Sequence, residues 1–340
     1  MKTQHVNDKR GWLRRLKYAL LALLLFPIVI FLAGAVYQAT ATAIDARRYP
    51  PPGQLVDVGG YRMHIDCSGE RRAGAPTVIL VPSHPATSSS WVWIQPEVAA
   101  ITRVCACDRA GAGWSEASPA APTMGQMARE LQALLEQAGE PGPYILAGHS
   151  WGGGVTRLYA TAYPEQVSGL VWIEATHPDA WSRRGLPEST FGGISPEMIE
   201  GIPFATRFGV LRLVPALRGN WGVVPGLPAQ QQGALTAYFN TTKWANYVVA
   251  VEQALPETLE QLRRAGSVGD IPLAIVLGTA SDEADAVGAA LQAELAELST
   301  DSAVYYVEGA DHSSLVHDQR YGQEVGRVIL QIVESVRNDR

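Results

Sequence analysis

Cysteine is scarce. There are three in 340 residues, Cys67, Cys105 and Cys107, with neither the spacing of a zinc site nor a redox C-x-x-C pair. That sets aside zinc-finger and thioredoxin-like chemistry and leaves small buried hydrophobes as the ordinary role for these residues. Cys105 and Cys107 alternate on an expected strand and so face one side of a sheet. A bridge from Cys67 to one of them is open in an oxidising compartment, though nothing implies it. Beyond the first seventeen residues there is no long basic run, and the net charge is −6. A nucleic-acid surface is therefore not expected. The chain shows no internal repeat and no dinucleotide fingerprint, and no cofactor and no metal are expected. Charged residues make up only 18% against 47% apolar, which excludes wholesale disorder and allows a sizeable core.

Charge is missing altogether from Tyr18 to Tyr37, "YALLALLLFPIVIFLAGAVY". Twenty residues rising about 1.5 Å each cross the roughly 30 Å hydrocarbon core of a bilayer. Lys9, Arg10, Arg14, Arg15 and Lys17 precede the run. By the positive-inside rule they keep the N-terminus cytoplasmic and place the remainder of the chain outside. The reading is a single-pass anchor. The alternative is secretion after signal cleavage, for which "ATATA" offers small residues, although the apolar run exceeds a typical h-region of about 7–15 residues.

The rest of the chain divides by pattern. Residues 1–17 form a basic N-terminus, 18–37 the membrane helix and 38–54 a linker containing "RRYPPPGQ". Residues 55–178 and 266–340 alternate apolar strands with striped helices, as in a mostly parallel sheet covered on both faces. Residues 179–265 break that alternation and read as an inserted helical cap. Trp181, Phe191, Phe204, Phe208, Trp221, Tyr238 and Trp244 of this stretch either line an apolar pocket or make up the cap's own core.

The chemistry gathers at "YILAGHSWGGG", Tyr144–Gly154. Gly148-His149-Ser150-Trp151-Gly152 fits G-x-S-x-G between an expected strand and an expected helix, the context of a nucleophile elbow. The hydroxyl of Ser150 then stands above the sheet edge, and the N–H of Trp151 points to where an oxyanion forms. A serine hydroxyl needs a base. His312, in "EGADHSSL" after the last strand, is the candidate, and His317 reads as a surface residue. The imidazole needs a carboxylate to hold it. Glu174 in "VWIEATHPD", ending one strand, and Asp282 in "LGTASDEAD", in the loop after the next, are alternatives.

From about Leu55 onward the chain resembles the α/β-hydrolase fold superfamily. The resemblance rests on "GHSWGG", on "DRAGAGWS" after the fourth strand and on "GADHSSL". It is similar to a subgroup several of whose members carry an N-terminal membrane segment. That subgroup usually has Asp at the position of Glu174, which puts Glu174 ahead of Asp282. The resemblance implies a glycine-bearing turn after the third strand to supply the second oxyanion donor. Here the turn reads "VPSHPATSSSW", without glycine, and Ser83 or His84 must offer its N–H. The expectation is a serine hydrolase of a small or medium acyl substrate, most simply a carboxylic ester, acting through an acyl-enzyme. A serine at the elbow argues against dehalogenase and epoxide-hydrolase chemistry, in which a carboxylate stands there. The alternatives are amide or peptide hydrolysis and a binding or scaffold protein that kept the fold.

Overall fold

A computed structural model describes residues 4–189, 196–214, 224–281 and 285–338. Phe191, Trp221 and Asp282 lie outside the described residues. Eight strands form one sheet: β1 (Gln54–Asp57), β2 (Arg62–Ser68), β3 (Thr77–Val81), β4 (Val104–Cys107), β5 (Tyr144–His149), β6 (Val167–Ile173), β7 (Leu273–Gly278) and β8 (Ser302–Val307). Their order is β1-β2-β4-β3-β5-β6-β7-β8. The β1–β2 and β2–β4 pairs are antiparallel and all others parallel. After β3 the chain goes to one side to make β4, then crosses to the other side for β5. The carboxyl ends of β3 and β5 therefore flank a topological switch point, where such sheets leave a crevice.

Alternation along each buried strand divides the core into two layers. Ile79 and Val81 of β3 face one layer and Val78 and Leu80 the other. The first layer is closed by α3 (Met124–Gln137), α4 (Trp151–Ala162) and α9 (Thr242–Arg264), through residues such as Leu134, Tyr159 and Leu259. The second is closed by α2 (Gln95–Ala99) and α12 (Gln319–Asn338), through Val98, Val325 and Ile329. Thr123 caps α3 by accepting from the amide of Gln126 at 3.1 Å, as its spacing suggests. Helices α5 (Ala180–Arg183), α6 (Pro196–Arg207), α7 (Val210–Leu213), α8 (Ala229–Phe239) and α9 lie between β6 and β7. Helix α10 (Ala286–Ala296) joins β7 to β8, and the short α11 (Ser314–His317) precedes α12.

Two features depart from the sequence reading. The first is the linker. Helix α1 runs from Gln4 through Arg48, so most of residues 38–54 is helical. Nothing in "QATATAIDARR" breaks a helix, Arg47 and Arg48 suit its C-terminal dipole, and the first breakers are Pro50 to Pro52. Gly34, Ala35, Gln38, Ala41, Thr42 and Asp45 form the covered stripe of this helix. Gln38 Nε2 donates to the carbonyl of Asn240 at 2.7 Å, and Arg212 pairs with Asp45 at 2.7 Å. The second is the cysteines. Cys67 on β2 and Cys105 on β4 stand directly opposite each other and form a disulfide. The sequence does not reveal that β2 pairs with β4 rather than with β3, so the spacing of the cysteines does not imply the bridge. Cys107 stays a free buried thiol, pushed up to about 12 by burial and by the neighbouring Asp108 charge.

The disulfide closes a loop with a sequence separation of 38. Loss of such a cross-link typically costs about 2–4 kcal/mol. Replacing Cys67 and Cys105 together by Ala should lower the urea unfolding free energy by about that amount. A reducing agent should lower that of the wild type by a similar amount and leave the double variant unchanged.

Candidate active site

Ser150 occupies the corner between β5 and α4 at φ 53° and ψ −115°. A non-glycine residue in that region is strained by about 1–3 kcal/mol and persists only when its surroundings dictate it. Here they do. The Ser150 amide donates to Ile173 at the end of β6 (2.9 Å), and its carbonyl accepts from Gly153 (2.9 Å) and Thr176 (3.1 Å). The flanking glycines are sites of close approach. A Cβ on Gly148 would lie 2.5 Å from the backbone of Gly152, and one on Gly152 would strike the carbonyl oxygen of Val81. The start of α4 thus sits against the end of β3. Trp151 is the first residue of α4, where an amide has no intrahelical carbonyl to pair with.

Glu174 follows β6, also with positive φ (42°). Its carboxylate is fully buried, and three donors surround it. Gly278 donates its amide to Oε1 at 2.8 Å and the Ser281 hydroxyl donates to Oε2 at 2.8 Å. The third partner is His312 Nδ1, 2.6 Å from Oε2. The Glu174–His312 pair and Ser150 line one cavity of about 600 Å³, with Trp181, Arg184 and Leu186 on its wall. The structure thus brings Ser150, His312 and Glu174 to one place, while Asp282 is not described. A larger cavity, about 760 Å³ and lined by Pro51, Pro52, Gln95 and Trp114, contains neither Ser150 nor His312.

Two further histidines back the loop that carries His312, and the sequence pattern assigns neither a role. His149 Nε2 donates to the carbonyl of His312 at 2.9 Å, and the two rings lie 4.7 Å apart. Burial first, then the nearby His312 and His317, hold His149 well below its ordinary value, so it is neutral. His317, read from the sequence as a surface residue, is buried. It pairs with the Ser313 hydroxyl at 2.9 Å and the Ser90 hydroxyl at 3.0 Å. Ser90 is 227 positions away, so no local pattern announces the contact. Burial, with a smaller push from His312, takes His317 down to about 4.

The glycine-free turn lies beside α4. The His84 ring packs 5.7 Å from Trp151 and 5.4 Å from Tyr247, and burial followed by Arg109 keeps it well below the usual histidine value. Ser83 and His84 side chains do not line the Ser150 cavity. Arg109 grips this turn. Its guanidinium donates to the carbonyls of Pro82 and Ser83 (the latter at 2.8 Å) and, through Nε, to the Tyr247 hydroxyl at 2.9 Å. Because a trans peptide points its N–H opposite to its C=O, drawing these carbonyls to Arg109 turns the amides of Ser83 and His84 away from it. Arg109 lies in "DRAGAGWS", a motif the sequence marks without showing what its arginine does. Behind it, the buried Asp108 pairs with His64 at 3.1 Å and accepts from the Ser88 and Trp114 amides at 2.6 and 2.9 Å. Of the described cap aromatics, Trp181 lines the cavity. Tyr238 and Trp244 are core, and Phe204 and Phe208 meet α1 instead.

Comparison with known proteins bears on the fold that carries this site. A sequence-family profile described as alpha/beta hydrolase fold matches residues 76–189. Epoxide hydrolase 4 of Mus musculus is 30% identical over 125 residues, 36% of this chain and 34% of that one. The chain covers between 20% and 44% of the length of three other curated relatives. Haloalkane dehalogenase DbeA from Bradyrhizobium elkani superposes with a TM-score of 0.62 at 20% identity, over 84% of this chain and 99% of that one. A membrane phospholipase A superposes with a TM-score of 0.57 at 20% identity, over 96% of this chain and 99% of that one. At these identities the superpositions speak to the fold.

His317 provides a pH test of the loop. Its folded value, about 4, lies below the ordinary 6.5, so the folded state disfavours its proton. Its contribution to stability is complete above about 6.5 and is lost as pH falls toward 4. In urea unfolding at pH 7 and pH 4.5, His317→Gln should lose roughly 2 kcal/mol less than wild type over that interval. An unchanged difference between the two pH values would mean that His317 is not held neutral.

Proposed function

The chain belongs to the α/β-hydrolase fold superfamily, and on that premise we propose that it is a serine hydrolase of carboxylic esters. The observation that carries the reading is the 2.6 Å contact between His312 Nδ1 and a buried Glu174 carboxylate, at the mouth of the cavity that holds Ser150. In this reading Ser150 Oγ attacks the ester carbonyl. His312 Nε2 takes the hydroxyl proton and passes it to the leaving alcohol. Glu174 fixes the tautomer that leaves Nε2 free and stabilises the imidazolium as it forms. The N–H of Trp151 and that of Ser83 or His84 receive the oxyanion. Water, activated by the same imidazole, then releases the acyl group and restores Ser150. Asp282 becomes the reserve candidate for the acid.

The relatives named as an epoxide hydrolase and a dehalogenase do not transfer their chemistry. Their reactions call for a carboxylate at the elbow, and this chain has Ser150. The cavity sets apolar Trp181 and Leu186 beside Arg184, which suits an acyl group joined to a polar head. The neighbour described as a membrane phospholipase A favours a lipid-like ester within this class. Three features support a single-pass anchor with its N-terminus in the cytoplasm: the charge-free helix, its basic N-terminal flank and a disulfide of the kind that persists in oxidising compartments. One observation favours a second reading, a binding protein that kept the fold: the turn at Ser83 has no glycine.

A fluorophosphonate probe separates the two readings. The enzyme should label at Ser150 and lose the label as Ser150→Ala, whereas a folded chain that never labels is a binding protein. Among substrates, carboxylic esters of increasing acyl length should be turned over and the matching amides should not. Glu174→Gln should lower kcat by about 10⁴-fold, as loss of the orienting carboxylate does elsewhere. Full activity in that variant would move the acid to Asp282.

A further inference from the structure

The stripe on α1 that meets the cap begins inside the charge-free run. Gly34 is covered, and a Cβ there would lie 2.6 Å from the carbonyl oxygen of Phe208. One turn earlier, Phe31 packs edge-on against Phe208 (4.8 Å between centroids) and Phe204 (6.0 Å), which also touch each other (5.0 Å). Tyr37 lies against Gly209 in the same joint. Phe31 precedes Tyr37, the end of the apolar run, by six residues, which is about 9 Å along a helix. If α1 spans a bilayer, whatever touches Phe31 sits below the membrane surface too.

We propose that the cap face formed by α6 and α7 is buried in the outer leaflet, so that the domain is partly inserted in the bilayer rather than tethered above it. The proposal rests on the anchor reading of α1. The surface around the joint has the composition this needs. Met198 (67% exposed), Phe204 (59%) and Leu213 (61%) on two adjacent helices, and Val214 (43%) just after the second, are all open to solvent. Large apolar side chains grouped like this on a surface mark an interaction site. Their partner is set by depth, since the joint places Phe204 at the level of acyl chains and Arg212, beside Leu213, reaches Gln38 and Asp45 at the headgroups. The polar contacts of the same helix lie further from the hydrocarbon. Gln38 with Asn240, and Asp45 with Arg212, come later along α1 than Gly34, at headgroup height. The order along α1 is therefore apolar contact first and charged contact last, as a bilayer boundary would impose. A second copy of the chain on the same face would impose no such order.

The test uses the full chain reconstituted in phosphatidylcholine–phosphatidylglycerol vesicles. An environment-sensitive fluorophore is placed on single cysteines introduced as Leu24→Cys, Met198→Cys, Leu213→Cys or Tyr306→Cys. Met198 and Leu213 are exposed, so these substitutions disturb no core. Leu24 reports on the span itself, and Tyr306, exposed on β8, reports on solvent. With lipids brominated on their acyl chains, fluorescence should be lost at residues 24, 198 and 213 and retained at 306. Quenching at 24 but not at 198 and 213 overturns the insertion while leaving the anchor intact. A blue shift at 198 and 213 without quenching means a second copy covers the face, and overturns it as well. No quenching at 24 overturns the anchor reading, and the insertion falls with it.

Discussion

The carbonyl oxygens of Val81 and Pro82 crowd Gly152, and the main chain of Gly152 crowds Gly148 in turn. This contact, among three segments with no room for a side chain, fixes the angle at which α4 leaves the sheet. Ser150 then takes positive φ because no other path connects β5 to that helix. The strain is met by hydrogen bonds from β6 and from the residues after it, so the corner is held from the neighbouring strand and its loop at once. An alanine at either glycine would open the packing and take the hydroxyl out of register with the loops above. The position of every other group in the cavity is measured from this corner.

The histidine loop is built on a different principle. It is not a tight corner, and His312 itself is half-exposed at the cavity, with 45% of its side chain exposed. Its order comes from polar contacts reaching across the sheet edge: Glu174 on the ring, His149 on the backbone carbonyl and His317 with Ser90 beneath. Both supporting histidines are buried and kept neutral by that burial, so they hold the loop without adding positive charge next to His312. In the role of base proposed for His312 this matters, because a charged neighbour would oppose the uptake of a proton. Glu174 meets the ring with a fully buried carboxylate that Gly278 and Ser281 also hold in place.

The elbow is legible in the sequence because its cause is local: five residues, a strand before and a helix after. The alternation of apolar strands and striped helices reveals the sheet for the same reason. The illegible part depends on distant partners. His149 meets His312 across 163 positions and Ser281 meets Glu174 across 107. Those spacings leave no periodicity to find. The preference for Glu174 over Asp282 comes from a family resemblance and not from the residues, since each follows a strand and either loop could carry the acid. The linker reading fails because its prolines stop a helix only at Pro50, and nothing in "QATATAIDARR" before them does so. The disulfide is invisible to spacing because strand order within a sheet is not encoded in any one strand.

In the proposed oxyanion site, the turn at Ser83 has side-chain contacts where the family resemblance implies a glycine. Glycine lets a backbone amide face an oxyanion by freeing the peptide to rotate. In this chain the rotation is fixed from behind. Arg109 must satisfy its five donors in a buried site, and the carbonyls of Pro82 and Ser83, with the Tyr247 hydroxyl, are what it finds. Holding a carbonyl fixes the attached N–H on the opposite side, so the guanidinium sets the direction of two amides without touching them. The next peptide cannot take part, since Pro85 has no N–H. Asp108 secures the other flank of the turn through the Ser88 amide, and its pairing with buried His64 ties it to the β1–β2 hairpin. Burial opposes the charge on both partners. Their mutual hydrogen bond and attraction prevail, lowering Asp108 and raising His64, so the pair is at its strongest between the two values. A turn held by charges this deep depends on pH in a way that a glycine turn does not.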